Sequence, residues 1–321
     1  MMILVTGGTG FVGRSLISRL LEGSYQVAVT SRRGNNNQFH ENVKKYHTKD
    51  ISISTNWSGV FEQVDVVIHA AARVHIMDDS VADPLAEFRK VNVGGTLNLA
   101  RQAAQSGVKR FIFVSSIKVN GEMTTIDRLF KSDDKCIPTD PYGLSKYEAE
   151  QGLLAIARET GMEVVIIRPP LVYGPGVRAN FFSMMKWIYK GIPLPLGAIN
   201  NRRSFVALDN LVSFIINCIN HPKAANEVFL ISDGEDVSTS ELLKKVAKAF
   251  GKKSLLLSVP TSLMTFTAKL IGKGEVATRL FSSLQVDSSK AQDLLGWTPV
   301  TTMDEQLKKT AEAYLKNEKT L

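Results

Sequence analysis

The chain has 321 residues, and its 39 lysines and arginines against 31 aspartates and glutamates give a formal net charge of +8. Hydrophobic residues make up 44% of it and charged residues 22%, as in globular proteins that bury a large core. These proportions exclude a collagen-like chain, a disulfide-dense scaffold and a wholly disordered protein.

Cysteine and histidine spacing argues against a metal site. The two cysteines, Cys136 and Cys218, are far apart in the sequence, and the five histidines show neither HExxH nor HxH spacing. A disulfide framework and a Cys-x-x-Cys redox site are therefore also excluded. We expect no bound metal ion.

Hydropathy and charge patterning predict a soluble, cytoplasmic protein. The N-terminal MMILVTGG has no basic leader, and the apolar stretch 211–219 is shorter than the roughly 20 residues that cross a bilayer. Lysines are densest over residues 244–253, which we interpret as a solvated helix face. We therefore predict no membrane insertion and no nucleic-acid partner, although the positive charge favours small anionic ligands such as nucleotides.

Short apolar runs alternate with segments of helical periodicity along the first half of the chain. The predicted strands are 2–6, 26–30, 46–50, 64–69, 110–115 and 163–167. The predicted helices begin at Phe11, Leu85 and Tyr142 and are closed by Gly23, Gly107 and Gly161. This alternation predicts an α/β fold, a doubly wound parallel sheet of the Rossmann type with helices on both faces.

The pattern changes after Arg168, where proline and glycine become frequent and helices then dominate. We predict a Rossmann dinucleotide-binding domain over residues 1–168, with a return segment near 205–231 that includes a late strand at 228–231. Residues 169–204 and 232–321 would form a smaller, mixed α/β substrate domain.

Three glycines, Gly7, Gly10 and Gly13, follow the first strand and open the first helix. Glycine permits the tight turn and lets backbone N–H groups approach a pyrophosphate, and the helix N-terminus adds partial positive charge. We expect the N–H groups of Phe11 and Val12 to take part. An ordinary strand-to-helix turn is the alternative.

The end of the second strand bears on cofactor choice. An NAD site usually places a carboxylate there, on the ribose hydroxyls, but this chain has Ser31, Arg32 and Arg33. Arginine suits a 2′-phosphate, so the sequence favours NADP(H) and leaves NAD(H) open, unless both arginines are merely solvated. Asp50, with Ile51 beside it, is a candidate contact for the adenine.

Tyr142 is the only tyrosine followed by lysine four residues later, at Lys146, so both side chains share one helix face. A phenol with a pKa of ~10 needs a downward shift to act near pH 7, and a nearby ammonium favours the phenolate. Ser116 directly follows the strand at 110–115, so its hydroxyl would lie beside the cofactor crevice. Two solvent-facing helix residues are the alternative for the pair alone.

Several longer motifs resemble the extended short-chain dehydrogenase/reductase family, specifically its nucleotide-sugar epimerase, dehydratase and reductase group. They run along most of the chain and comprise TGGTGFVG, HAAA, VNVGGT, FVSS, PYGLSK, RPPLVYGPG, RRSFVALDN and LGWTP. The resemblance implies a UDP-sugar substrate, and dimers that pack the helices carrying Asn92 and Tyr142.

The resemblance also implies roles for individual residues. Ser116, Tyr142 and Lys146 would be the catalytic triad, with Lys146 also on the nicotinamide ribose, and Asn92 would order the site. The HAAA motif would line the cofactor with Ala70, Ala71 and Ala72.

On the substrate side, the resemblance implies that Asn180 and Arg203 bind the diphosphate and that Leu196 lies by the uracil. Arg279 is a further phosphate candidate. Asn180 could instead, or in addition, cap a helix over residues 181–190.

Two departures from the family pattern narrow the activity. The acid expected in NAD-retaining 4-epimerases is replaced by Ser31, and the Asp-Glu pair typical of dehydratases is replaced by Ile117-Lys118. The second departure argues against 4,6-dehydration. The segments IKVNGE and HAAARVH are most similar to bacterial UDP-hexosamine 4-epimerases and 4-ketoreductases.

Three hypotheses follow. The first is an NADP(H)-dependent reductase of a UDP-4-keto-hexosamine in surface polysaccharide sugar biosynthesis. The second is a 4-epimerase of UDP-glucose or a UDP-N-acetylhexosamine with tightly held NAD. The third is a non-enzymatic NADP-binding regulator on the same fold, against which Tyr142 and Lys146 count.

Overall fold

The computed structural model describes residues 1–32, 39–48, 50–74, 83–125, 128–270, 272 and 274–318. Strands and helices alternate through the first half, as their apolar periodicity predicts. The strands there are β1 (Met2–Thr6), β2 (Gln26–Ser31), β3 (Val43–His47), β4 (Val64–His69), β5 (Arg110–Val114) and β6 (Glu163–Arg168). The helices are α1 (Phe11–Glu22), α2 (Pro84–Phe88), a π-helical segment (Arg89–Gly95), α3 (Thr96–Gln105) and α4 (Pro141–Thr160).

The second half begins with a short strand and is mostly helical. Its strands are β7 (Leu171–Tyr173), β8 (Arg203–Ala207), β9 (Val228–Leu230) and β10 (Asp236–Val237). Its helices are α5 (Ala179–Tyr189), α6 (Leu208–Asn220), α7 (Thr239–Ala249), α8 (Thr261–Leu270), α9 (Gly274–Phe281), α10 (Ser289–Leu295) and α11 (Met303–Glu318). Among the described residues, no helix is both long enough and apolar enough to cross a membrane.

The main sheet is parallel throughout, with strand order β3-β2-β1-β4-β5-β6-β9. The order reverses between β1 and β4, so a crevice opens outside the carboxyl ends of these two strands. The predicted Rossmann fold is therefore confirmed. Strand β9 pairs with β6 and brings the chain back to the first sheet after it has visited the second domain.

Both faces of the main sheet are buried, which is why its strands are almost continuously apolar. Ile3 and Val5 of β1 point into a core shared with α1 and α6. Leu4, between them, points to the opposite core, which is shared with α3 and α4. The sheet thus holds α4 on one side and the loop before α1 at its carboxyl edge.

The smaller C-terminal domain has its own three-stranded sheet, in the order β10-β8-β7. Strands β7 and β8 are parallel and β8 and β10 are antiparallel, so the sheet is mixed, and the domain contains both strands and helices, as predicted. A separate core fills this domain, centred on Tyr173 and Phe205 with helices α5, α7 and α11 around them.

Two predicted elements differ from the structure. The third strand covers Val43–His47 rather than residues 46–50, because its register is set by pairing with β2, where Val27 faces Val43. The single helix predicted from Leu85 is helical to Gln105 but contains the π-helical segment Arg89–Gly95, which apolar spacing does not reveal.

Candidate active site

The glycine loop joins β1 to α1 at the mouth of the crevice. Gly7 has a φ of +76°, a conformation that suits glycine, and a Cβ there would lie 2.7 Å from the backbone nitrogen of Ala71. Gly10 is the N-cap of α1, and no described side chain caps the helix, so the first-turn N–H groups, including those of Phe11 and Val12, are left for an anion. The loop therefore fits a pyrophosphate, with Ala70 and Ala71 as its opposite wall.

The adenosine end is less defined by the structure. Ser31 is buried at the end of β2 and Arg32 is exposed, while Arg33 lies outside the described residues. The Asp50 carboxylate accepts hydrogen bonds from Thr55 Oγ1 at 3.1 Å and Ser52 Oγ at 3.4 Å. Asp50 thus stabilises its own loop, and its predicted contact with adenine stays a prediction, as do those of Ile51 and Ala72.

Helix α4 presents Tyr142 and Lys146 towards the end of β5. Asp140 caps the helix by accepting a hydrogen bond from Gly143 N at 2.9 Å, and proline in the first turn fixes its start. Tyr142 therefore lies in the first turn of α4, with its hydroxyl hydrogen-bonded to Ser116, the residue two positions after β5. The structure brings the three predicted catalytic residues together.

Lys146 is almost completely buried, with 1% of its surface exposed. Its Nζ donates to the Val114 carbonyl at 2.8 Å and lies 3.9 Å from the centre of the Phe113 ring. Burial lowers the pKa of Lys146 to about 7, and the nearby Glu150 carboxylate opposes that shift.

The pKa of Tyr142 moves opposite to the direction expected from the sequence. Burial of the hydroxyl, with a contribution from the Asp140 charge, raises the pKa to about 12, and the Ser116 hydrogen bond only partly offsets this. From the sequence, the Lys146 ammonium and a cationic nicotinamide together are expected to lower this pKa, whereas desolvation dominates in the structure. Ionising Tyr142 at pH 7 would cost about 7 kcal/mol in this environment, so a positive charge on the ligand would have to contribute.

Asn92 lies in the π-helical segment and is buried. Its amide Nδ2 donates to the Arg73 carbonyl at 3.0 Å and to Ser145 Oγ at 3.1 Å, and its Oδ1 accepts from Arg73 N at 2.8 Å. Asn92 therefore connects the segment after β4, which carries Ala70–Ala72, to the residue preceding Lys146. This arrangement gives it a positioning role rather than a contact with the reacting atoms.

A buried charged network beneath the triad was missed by sequence reasoning. Arg168, at the end of β6, pairs with Glu150 on α4, with Nη2 to Oε2 at 2.6 Å. Ser115 Oγ donates to Glu150 Oε1, and Arg168 Nη1 donates to Asn120 Oδ1 at 3.0 Å. Glu150 falls four residues after Lys146, and that helical spacing is the signal that could have identified it.

The predicted substrate residues are only partly brought together. Arg203 Nη1 donates to the carbonyls of Arg279 at 2.8 Å and Ser282 at 3.0 Å, so the two predicted arginines are neighbours. Burial lowers the pKa of Arg203. Arg279 is largely exposed, with Nη2 4.0 Å from the Glu122 carboxylate, which also pairs with Lys118 at 3.0 Å. Glu122 thus connects Arg279 of α9 to Lys118, which lies two residues after Ser116.

No hydrogen bond or ion pair among the described residues joins Asn180 or Leu196 to that pair of arginines. Helix α5 begins at Ala179 with Arg178 at its N-cap position, so Asn180 is exposed in the first turn and does not cap the helix. Leu196 packs on the core of the C-terminal domain. Their contacts with a nucleotide stay predictions.

A cavity of about 770 Å³ opens beside the glycine loop, between the two domains. Its lining includes Thr9 to Phe11 of the glycine loop, Pro175 to Ala179 after β7, and Tyr314 of α11. The described lining residues include none of the triad. The cavity therefore adjoins the pyrophosphate site without containing the reacting centre.

Comparison with known proteins supports this geometry. Residues 3–232 match the model of the NAD dependent epimerase/dehydratase family. A UDP-glucose 4-epimerase from Vibrio cholerae is 50% identical over 315 residues, which cover 98% of this chain and 95% of that protein.

Solved structures agree on the fold. The UDP-glucose 4-epimerase of Thermotoga maritima with UDP-glucose superimposes with a TM-score of 0.77 at 26% identity, covering 99% of this chain and 100% of that one. The UDP-glucuronic acid 4-epimerase of Bacillus cereus in complex with NAD gives a TM-score of 0.78 at 22% identity, with coverage of 98% and 99%.

Proposed function

The chain belongs to the NAD dependent epimerase/dehydratase family, and we propose that it is a 4-epimerase of UDP-glucose or a UDP-N-acetylhexosamine. The observation that carries the proposal is the meeting of Ser116, Tyr142 and Lys146 beside a glycine loop that fits a pyrophosphate. The full-length similarity to a UDP-glucose 4-epimerase supports this hypothesis over the reductase that the sequence analysis placed first.

The cofactor we propose is NAD, held by the glycine loop with its pyrophosphate on the first-turn N–H groups of α1. When bound, it would accept the hydride from C4 of the sugar and return it. The chain's own residues must then move one proton at the C4 oxygen, keep water away and hold the nucleotide.

Tyr142 is placed to exchange that proton. Its hydroxyl is bonded to Ser116, so the two side chains can both reach one sugar oxygen. Ser116 would donate a hydrogen bond to that oxygen when it is a carbonyl, and Tyr142 would remove the proton when it is a hydroxyl. The Lys146 ammonium would favour the phenolate by its charge.

The diphosphate would be held from the second domain by Arg203 and Arg279. Desolvation of the Arg203 guanidinium makes an anionic partner favourable, and among the described residues it has only backbone carbonyls as hydrogen-bond acceptors. Arg279 would exchange its loose 4.0 Å contact with Glu122 for a phosphate oxygen.

Replacing Arg203 with alanine should weaken UDP binding about tenfold or more, because a hydrogen bond to a charged group is worth about 1.5–3 kcal/mol. Isothermal titration calorimetry with UDP measures this, and Arg202→Ala is the matched control. Arg202 is an adjacent, exposed arginine whose loss should change the affinity less than about twofold. Unchanged UDP affinity in a folded Arg203→Ala protein would remove Arg203 from the substrate site.

The function is tested by incubating the purified protein with UDP-glucose or UDP-N-acetylglucosamine and no added reductant. We expect the C4 epimer to form, and we expect NAD to be the nucleotide released on denaturation, because an epimerase regenerates its oxidised cofactor in each cycle. Chromatography with mass spectrometry identifies both products.

One specific observation favours the reductase hypothesis. Ser31 stands where an NAD site usually has a carboxylate, and the exposed Arg32 follows it. From these residues and Arg33 the sequence predicts a preference for NADP(H). Release of NADP, together with NADPH consumption on a UDP-4-keto sugar and no epimer formation, would reject the epimerase and support the reductase.

A further inference from the structure

Glu150 is a buried carboxylate, and moving a charge out of water costs free energy. It is 1% exposed, and its partner Arg168 is 5% exposed, so both ions have left water. Replacing such a pair with apolar residues is often neutral or stabilising, so stability alone does not explain why it is there. The position of the Glu150–Arg168 pair explains its presence, because the pair joins the two elements that carry the triad, helix α4 and the end of β5.

The hydrogen bonds of Glu150 fix its carboxylate in one orientation. Arg168 approaches it with Nε at 3.0 and 3.2 Å and with Nη2 at 2.6 Å, and Ser115 Oγ donates to Oε1. Arg168 is itself held by Asn120, whose Nδ2 donates to the Lys131 carbonyl at 2.7 Å. The ends of β5 and β6 and helix α4 therefore meet at one carboxylate.

From this geometry we infer that Glu150 is a positioning residue of the active site. Its hydrogen bond with Ser115 holds the end of β5, next to Ser116. Because it lies one helical turn after Lys146 on α4, its carboxylate also supplies the negative charge that stabilises the Lys146 ammonium. The inference rests on the proposed chemistry at C4, in which Lys146 acts as an ammonium.

The other groups around Lys146 cannot take over this function. His69, from β4, is hydrogen-bonded to Thr6 and Thr96, and burial lowers its pKa to about 3, so it is neutral. Tyr142, from α4, is protonated at neutral pH by its raised pKa. Arg168, from β6, carries a positive charge and so cannot neutralise the Lys146 ammonium. In the loop after β5, Lys118 is also positive, and it pairs with Asp140 and Glu122.

The direct test is the titration of Lys146 itself. In protein labelled with ¹³C-lysine, the Cε resonance that is lost in Lys146→Met should titrate near pH 7. In Glu150→Gln the midpoint should fall by at least ~0.5 pH unit, because removing the negative charge destabilises the ammonium.

Glu163→Gln is the matched control. Glu163 pairs with Arg110, which is also buried, with Nη2 to Oε2 at 2.6 Å, but this pair lies at the amino edge of β5 and β6. Its loss should leave the Lys146 midpoint unchanged. An unchanged midpoint in Glu150→Gln, or an equal shift in Glu163→Gln, overturns the inference.

A folding defect does not block the test. If Glu150→Gln does not fold, the double variant Glu150→Gln/Arg168→Gln leaves no unpaired charge in the core. Its Lys146 midpoint should also fall, because the Glu150 carboxylate raises the pKa of Lys146 and is absent from the double variant. The same reading applies, since an unchanged midpoint in the double variant overturns the inference.

Kinetics supply the second readout. Because the Lys146 ammonium is then lost at a lower pH, kcat of Glu150→Gln should fall at least ~threefold at pH 8 and much less at pH 6, with KM changed by less than about threefold. A uniform loss across pH would indicate a merely structural role and contradict the inference. The lysine titration does not require turnover, so its result stands even if the proposed epimerase activity fails.

Discussion

Tyr142→Phe should lower kcat for C4 epimerisation at least ~100-fold, with little change in dinucleotide affinity. General acid–base catalysis by a positioned side chain contributes about 10²–10⁴-fold, and the phenylalanine keeps the ring but loses the proton. The ring's edge contact with Phe88, at 5.7 Å between centroids, is preserved, so the start of α4 should keep its packing.

The matched control for this variant is Tyr147→Phe. Tyr147 lies on the same helix and is also partly exposed, but it belongs to no part of the triad. The two variants are compared by two measurements. Initial rates with the UDP-sugar give kcat, and fluorescence titrations with NADH give the dinucleotide affinity. Near-normal turnover in a folded Tyr142→Phe protein would exclude Tyr142 as the acid/base.

Gly13→Ala should weaken dinucleotide binding about tenfold to 100-fold, although the residue lies in the first turn of α1, where alanine usually favours the helix. A Cβ at this position would lie 2.3 Å from the Gly7 carbonyl oxygen and 2.8 Å from the Gly8 Cα, and both are backbone atoms that no rotamer change can move. Overpacking of this kind costs about 1–3 kcal/mol, and the glycine loop has to open to relieve it.

Fluorescence titration with NADH measures the effect of Gly13→Ala, and Gly94→Ala serves as the control. A Cβ on Gly94 would meet its nearest neighbours at 3.7 Å, an ordinary contact, so the affinity should stay within about twofold. If Gly13→Ala binds NADH as tightly as the unmodified protein, the pyrophosphate does not rest on this loop.

The strands of the main sheet could be predicted because they are buried on both faces and are therefore apolar throughout. Strand β3 was placed three residues too late because Lys44 and Lys45 interrupt the apolar pattern at the sheet edge. Pairing with β2 decides its position, and this pairing cannot be read from the strand alone. The π-helical segment is similarly hidden, because apolar spacing does not distinguish it from a continuous α-helix.

The triad could be predicted because its residues are defined by local spacing and by strand ends. The spacing from Lys146 places Glu150 on the same helix face, but its burial and its pairing with Arg168 could not be predicted, because they depend on the strand packed against the helix. The predicted direction of the Tyr142 pKa shift differs from the structure for a related reason. Charge can be counted in a sequence, but the loss of water around a hydroxyl depends on the tertiary structure.

Strand β9 has a consequence for how the molecule can be divided. Residues 1–168 hold the glycine loop and the triad, yet a fragment ending at Arg168 would leave β6 as an exposed sheet edge, since β9 is its partner. The same fragment would lose α6, whose Leu211, Phe214 and Ile215 complete the core on the α1 face. We therefore expect the two parts of the chain to fold together, and we expect a fragment of residues 1–168 to aggregate through the exposed edge of β6.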